Sequence, residues 1–460
     1  MNDPTLVATA WMDRAWDDAA GLLWNPPGAF SEVAEPRSVH LVRETAWYAI
    51  GLLRRAEPSD LERAERALHA VIDHQYDAPG EAWHGTFVRF PEWPAPGPGA
   101  VEWVDYDPNW RQFVGTALAI AITDFTLSPP LVERARAAIA LAVAAEPPDR
   151  VPPTYANIAL LRAWLEAWHG SADTTYAAAV AAAFRRHGCF TEHNSPTYYG
   201  IDLLALGLWQ RPDARPDLQR LGAEIETALW TDVARWWHAG LGNLCGPYSR
   251  AYGMDLHTYV SGLALALSCA DLPAPLPDLT ADTIPHGHDL CLAPLLHHVG
   301  VRVPASASAA LQHFPGPHGV EQIVDDDPER IATGWLGDQV MIGAENHASG
   351  PQARGQYHPA TMHWRLPNDE IGWLRIVHHG PTRATAEEWR LSIECPPHPR
   401  RGPQPLRWDS NVLPTEVTAE HWRFPGLDLA VVTNAGLLDV TTMTQAPGSG
   451  SITRISLTVA

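Results

Sequence analysis

The sequence predicts an α+β multidomain fold, an N-terminal (α/α) toroid of helical hairpins followed by an antiparallel β-sandwich or β-sheet domain. Three observations carry this reading. At 460 residues the chain exceeds what one ordinary core supports. Up to about residue 275 apolar residues recur at helical spacing, with Ala, Leu and Arg dominating between short Pro/Gly-rich breaks. Beyond about residue 330 the texture changes to alternating, β-branched and aromatic segments separated by Gly, Pro and Asn.

Taken in order, the segments near 38–55, 59–76, 110–125, 129–146, 155–168, 172–187, 198–210, 215–239 and 254–270 read as helices. Repeated helix pairs joined by short turns, with Pro- and Trp-rich loops on alternate connections, point to a toroid over residues 1–275, with a solenoid as the competing architecture. Residues 276–330 turn Pro- and His-rich (LPAPLPDLTADTIPHGHD), add a helical stretch from Leu290 to Val299, and read as last helices and linker. The Asp325-Asp326-Asp327 run reads as a solvated turn before the β domain. Residues 331–460 give the β domain through WLGDQVMIGAE, ATMHWRL, IGWLRIVHHG, LAVVTNAG, LDVTTMTQ and SITRISLTVA.

Composition removes several function classes. With 32 basic against 53 acidic residues and a formal net charge of -21, the chain repels a phosphate backbone, so nucleic acid is not an expected partner. The most apolar stretch, Ala135 to Ala145, is too short to span a bilayer, and the first residues lack the basic start and apolar run of an export signal. Cys189, Cys245, Cys269, Cys291 and Cys395 form no CxxC pair and read as buried thiols in a reducing compartment, which predicts a cytoplasmic protein. The 20 Trp, many beside Pro, Gly or acids, suit either core packing or the stacking of sugar rings. The expected partner is an oligosaccharide or other small-molecule substrate; the sequence defines no oligomeric state.

Three polar clusters stand out in the helical half. Glu192, His193, Asn194, Ser195, Tyr198 and Tyr199 flank Pro196 ahead of the apolar helix IDLLALGLW, where Asn and Ser read as caps and a helix mouth favours an anion. Tyr248, Arg250, Tyr252 and His257 lie in GPYSRAYGMDLH, read as the start of another helix, where glycines permit close backbone approach. Trp83 and His84, with Asp105, Asp107, Asn109 and Trp110, offer ring faces and hydroxyl partners, although Asp107-Pro108 also reads as a helix cap. Tyr155 and Asn157 stand at the next helix start. The β domain adds Glu345, His347, His358 and His363 beside predicted strands. No HxH or HExxH spacing there supports a divalent metal, and the proposed chemistry requires no cofactor. The adjacent pairs His297-His298 and His378-His379 read as ordinary histidines.

The order of these parts resembles the heparinase II/III-like and alginate-lyase-like polysaccharide lyases, which pair an α/α toroid with an antiparallel β-sheet domain. In those families an Asn or His at a helix start is followed some fifty-odd residues later by a catalytic Tyr, with a further His or Tyr from the β domain. His193 and Asn194 match the first position, Tyr248 falls at the expected distance, and His347, His358 or His363 supply the last. The resemblance implies β-elimination at a uronic-acid residue. In that scheme Asn194, His193 and Arg250 neutralise the carboxylate, Tyr248 is base and acid, and Tyr252 or a β-domain His is its counterpart. An ordinary phenol pKa of about 10 requires Arg250 and His257 to lower it. Rival readings are a glycoside hydrolase using Glu192, Asp105 and Asp107, a toroidal cyclase of an apolar substrate, and a carbohydrate-binding protein without turnover.

Overall fold

The helix from Val42 to Arg55 shows how the first half is built. Glu44 stands in its first turn and Arg54 and Arg55 in its last, matching the helix dipole, and Ala56 closes it in the left-handed region with its N–H on Leu52 O. The computed structural model describes residues 4–29, 35–347, 355–377, 381–398, 400–448 and 452–460. His378 and His379 lie outside the described residues. The chain is α+β: among the described residues, twelve α-helices lie in the N-terminal part and a curled antiparallel sheet in the C-terminal part.

The helices are α1 (Pro4–Asp13), α2 (Val42–Arg55), α3 (Asp60–Asp73), α4 (Trp110–Asp124), α5 (Pro129–Ala144), α6 (Ala156–Trp168), α7 (Thr175–His187), α8 (Tyr199–Trp209), α9 (Pro216–Trp236), α10 (Gly262–Cys269), α11 (Leu292–Val299) and α12 (Ala305–Gln312). One pair of expected caps and one expected start differ. Helix α8 begins at Tyr199 with Tyr198 as its N-cap, so Asn194 and Ser195 are not caps. Helix α10 begins only at Gly262, where Ser261 Oγ accepts from Ala264 N at 3.2 Å. Residues 246–261 are therefore loop. Leu256 N donates to Asn243 Oδ1 at 2.8 Å and Asn243 Nδ2 donates to Asp255 Oδ1 at 3.0 Å, so a buried Asn holds the backbone that a helix would otherwise hold.

By its internal contacts the chain forms two compact units. The first comprises Met1–Ala183, Tyr198–Glu226 and His257–Arg302. Its core is helix on helix: α8 is buried along its whole length, and Gly200 lets it approach α10, since a Cβ there would lie 2.6 Å from Gly262 Cα. Short strands β1 (Trp16–Asp17), β2 (Leu22–Trp24) and β3 (His40–Leu41) form a small sheet in this unit.

The second unit comprises Phe184–Thr197, Thr227–Leu256 and Val303–Ala460. It holds the ribbon of β4 (Trp237–His238) and β5 (Asn243–Leu244) and the large sheet. That sheet contains β6 (His318–Asp326), β7 (Glu329–Leu336), β8 (Val340–His347), β9 (Ala360–Arg365), β10 (Ile371–Ile376), β11 (Thr382–Glu387), β12 (Arg390–Cys395), β13 (Leu406–Ser410), β14 (Glu416–Val417), β15 (His421–Phe424), β16 (Leu427–Thr433), β17 (Thr444–Gln445) and β18 (Thr453–Val459). Its order is β14-β15-β16-β18-β12-β11-β8-β9-β10-β13-β17, with the β6-β7 hairpin joined to β8. The first strand starts at His318, so Asp325 and Asp326 end a strand inside the first hairpin rather than preceding the sheet. In β11 buried and exposed residues alternate, the mark of a half-covered sheet, whereas β8 and β9 are buried on both faces. The covered second face of β8 and β9 is where the site lies.

Candidate functional site

The loop after β5 is pressed against β8 and β9. A Cβ on Gly343 would stand 1.8 Å from Gly246 O, so that position needs glycine, and one on Gly246 would stand 2.1 Å from Thr361 Oγ1, so a side chain there requires Thr361 to give way. The loop then pairs with the segment entering β9: Tyr248 N donates to His358 O at 3.1 Å and His358 N to Tyr248 O at 2.9 Å. Ala251 N donates to Gln356 O at 2.9 Å. From the other side, Asn194 takes φ +55°, which aims its amide at the same loop, and its Nδ2 donates to Cys245 O and, at 2.7 Å, to Pro247 O. Ser249 N donates to His193 O, and Ser195 Oγ to Arg250 O at 2.8 Å. Segments far apart in sequence thus converge on Tyr248.

The polar side chains there are mostly buried and mostly neutral. Tyr248 gives its hydroxyl hydrogen to Leu244 O, and its oxygen lies 3.5 Å from His363 Nε2, which also reaches Met254 O at 2.8 Å. Burial pushes His363 down to about 4 and His358 down to about 3, with the Arg375 guanidinium adding to the latter. Arg375 Nη1 lies 3.0 Å from His358 Nε2 and its Nη2 is paired with Asp409 at 2.6 Å. His193 is fully buried against Asp232 at 3.1 Å. The half-exposed cation is Arg250, held by Glu192 at 3.1 Å and by Gln356 Oε1 at 2.9 Å. Tyr252 is also partly exposed, its backbone N–H on Thr197 Oγ1. His347, lowered by burial, meets the Tyr357 ring edge-on, and Tyr357 Oη donates to Glu345, which pairs with Arg330 at 2.9 Å.

The first unit gathers a second set. Asn109 Nδ2 donates to Tyr155 Oη at 3.0 Å and Arg150 Nη1 to Asn109 Oδ1 at 2.8 Å. Buried Arg111 donates to His84 O at 3.1 Å and Ala82 O at 2.9 Å, and Trp83 faces Tyr106. Trp110 is buried beneath the Arg43 guanidinium, and Asn157 is buried in α6. The N-cap of α4 is Asn109, whose N–H is taken by Asp107 at 2.9 Å, so Asp107 supports the cap from outside; burial raises its pKa. Asp105 is an exposed turn residue accepting from Val101 N at 2.7 Å. Tyr198 stands at the N-cap position of α8, Tyr199 is buried, and His257 is exposed; these three belong to the first unit.

Residues 6–300 match the model of a domain of unknown function, DUF8769. The chain belongs to the DUF8769 family. Residues 317–453 of this DUF8769 chain match a second domain of unknown function, DUF8770, and no curated protein matches the chain. No helix among the described residues is long and apolar enough to cross a membrane, and no disulfide joins the five cysteines.

Sequence reasoning passed over one cluster in the DUF8769 part. His286, His288 and Asp289 bring ligand atoms within 4.8 Å of one another, and burial pushes Asp289 up to about 7 and His288 well down. The signal was present as His-Gly-His-Asp inside the stretch read as linker. A groove of about 730 Å³ also runs over the open sheet face between Thr385, Ser392, Ser456 and Val432.

Proposed function

We propose that the protein is a carbohydrate-active lyase that cleaves a uronic-acid glycosidic bond by β-elimination. Its site is the cluster around Tyr248. The reading takes the helix pairs as an α/α toroid and places the protein in the cytoplasm, where thiols stay reduced. Neither family description names an activity, so the chemistry rests on the site. The supporting observation is the convergence of Asn194, Tyr248, Arg250 and His363 in one unit, with the Tyr248 oxygen 3.5 Å from a neutral imidazole.

The geometry redistributes the roles. Asn194 spends its amide on the Cys245 and Pro247 carbonyls, so it positions the loop that carries Tyr248. Arg250, a partly exposed cation, pairs with the uronate carboxylate, which lowers the cost of the charge that forms when the α-proton leaves. A phenolate takes that proton, the carbon–carbon double bond forms, the glycosidic C–O bond breaks, and the departing oxygen takes a proton from a phenol or imidazole. Tyr248 must release Leu244 O before it can act, while Tyr252 is already partly exposed.

Incubation with a panel of uronic-acid oligosaccharides, read by mass spectrometry and ultraviolet absorbance, is expected to give unsaturated fragments without uptake of water. Saturated fragments carrying one added water would assign a hydrolase instead. Tyr248→Phe and Tyr252→Phe separate the two phenols: the base variant loses turnover and keeps binding. Unchanged turnover in both variants would remove this site from the chemistry.

A further inference from the structure

The His286-Gly287-His288-Asp289 segment leads into a 3-10 turn, Gly287–Cys291, packed on α1 and α2. Alternate residues share a face on a strand; here the left-handed φ of His286, +56°, followed by the turn brings both imidazoles together, with ring centroids 5.7 Å apart. Gly287 is required between them, because a Cβ there would lie 2.6 Å from the Trp11 ring. The backbone is pinned on both sides: His286 N donates to Gly28 O at 2.9 Å and Val260 N to Pro285 O at 3.0 Å. This is a built constellation rather than a surface accident, since His288 is 2% exposed and Asp289 is partly covered.

We infer that His286, His288 and Asp289 form the binding site of a first-row divalent transition-metal ion, held by two imidazole nitrogens and one carboxylate oxygen. A cation about 2.1 Å from each ligand needs the ligand atoms roughly 3–3.6 Å apart. His288 Nε2 and Asp289 Oδ1 already stand 3.5 Å apart, and the set as a whole lies within 4.8 Å. Two nitrogen donors favour zinc, manganese, iron or cobalt over calcium and magnesium, which take oxygen. Three protein ligands leave positions open for water or a substrate oxygen.

The surrounding charge agrees. Arg43 Nη2 lies 3.8 Å from Asp289, and Arg89 also bears on His288, so the site has cations beside it. Arg43 is bound by Glu44 at 2.9 Å, which matches its charge. Glu44 is completely buried, and its Oε2 has no hydrogen-bond partner among the described residues. Glu44 and Asp289 therefore set two carboxylates against the Arg43 and Arg89 guanidinium groups, so the surroundings add no net positive charge against a bound ion.

The test uses the full chain, stripped with a chelator and dialysed. Titration with Co²⁺ is read by its visible d–d bands, and Zn²⁺ uptake by elemental analysis. The expected result is one tightly held ion per chain, lost in His288→Ala and Asp289→Asn. Glu44→Gln, outside the ligand set, is expected to weaken uptake about 10- to 100-fold. His286 is less buried than His288, so His286→Ala carries the test if the other variants fail to fold. No stoichiometric uptake by the unmodified chain overturns the site, as does uptake unchanged in His286→Ala. Binding is read without turnover, so this outcome is independent of whether the Tyr248 cluster is a lyase centre.

Discussion

The two polar clusters of this protein solve burial in opposite ways. Around Tyr248 the phenol and imidazoles are neutral, and their polar atoms go to backbone carbonyls: Leu244 for Tyr248, Met254 for His363, Ala251 for His358. Around Asp289 the chain buries Glu44 and Arg43 as ions, with Asp289 beside both the Arg43 guanidinium and the His288 ring. Neutral groups on carbonyl acceptors exchange protons and hold a loop in place. Buried ionic groups are held by their mutual pairing, and losing one partner leaves the other charge uncompensated.

The largest expected effect breaks the ionic side of this comparison. Glu44→Ala leaves Arg43 buried beside Asp289 without its main partner and is expected to lower stability by about 3–5 kcal/mol. Denaturant unfolding checks this. A loss below about 1 kcal/mol would mean that Arg43 is already satisfied elsewhere and the ionic description is wrong.

Next in size is the acid response of the neutral side. His238, His347, His358 and His363 in the second unit all have depressed pKa values caused first by burial, with His363 at about 4 and His358 at about 3. The unfolded chain takes up these protons near the ordinary value of about 6.5, before the folded chain does. The stabilisation is therefore complete above about pH 6.5 and is lost as pH falls through about 4 and 3. Hydrogen exchange at stepped pH should show the sheet loosening below pH 6.5, with a smaller slope in a His358→Gln, His363→Gln variant. An equal slope in that variant would refute the assignment.

The smallest effect concerns one residue at the edge of the neutral cluster. Asn194→Ala removes two hydrogen bonds to loop carbonyls and places a Cβ-bearing residue at φ +55° without the local compensation of Asn, for a cost of about 1–3 kcal/mol. Asn194→Gly restores the conformation but not the bonds, so thermal melts of the pair apportion the two contributions.

Much of this was legible beforehand, and the failures have specific causes. Helices α2 to α9 declare themselves by periodicity because each buries one stripe or all of its surface. Residues 254–261 mimic that pattern, yet their apolar side chains are buried from a loop fastened by Asn243, and periodicity does not distinguish the two. Strand β6 was missed because one face is exposed and the other only partly buried, so few apolar residues mark its alternation. Tyr248, Arg250 and Asn194 stood out because polar residues cluster there beside glycine and proline, whereas their convergence in one unit is visible only in the structure. That Asn194 turns inward is invisible without its φ. The ligand set at His286 was hidden because a Pro-rich stretch read as linker gives no element on which to place its histidines, and the left-handed turn at His286 that brings them together is not visible in the sequence.

The contact between Gly246 and Gly343 has a consequence for how such a chain drifts over generations. Both positions exclude a side chain, but against different obstacles. At Gly246 the first atom met is the Thr361 hydroxyl, so loss of that hydroxyl opens room and the two positions are free to change together. At Gly343 the obstacle is the backbone carbonyl of Gly246, which no substitution removes. One glycine is negotiable with its neighbour; the other is frozen for as long as descendants keep Tyr248 where it stands.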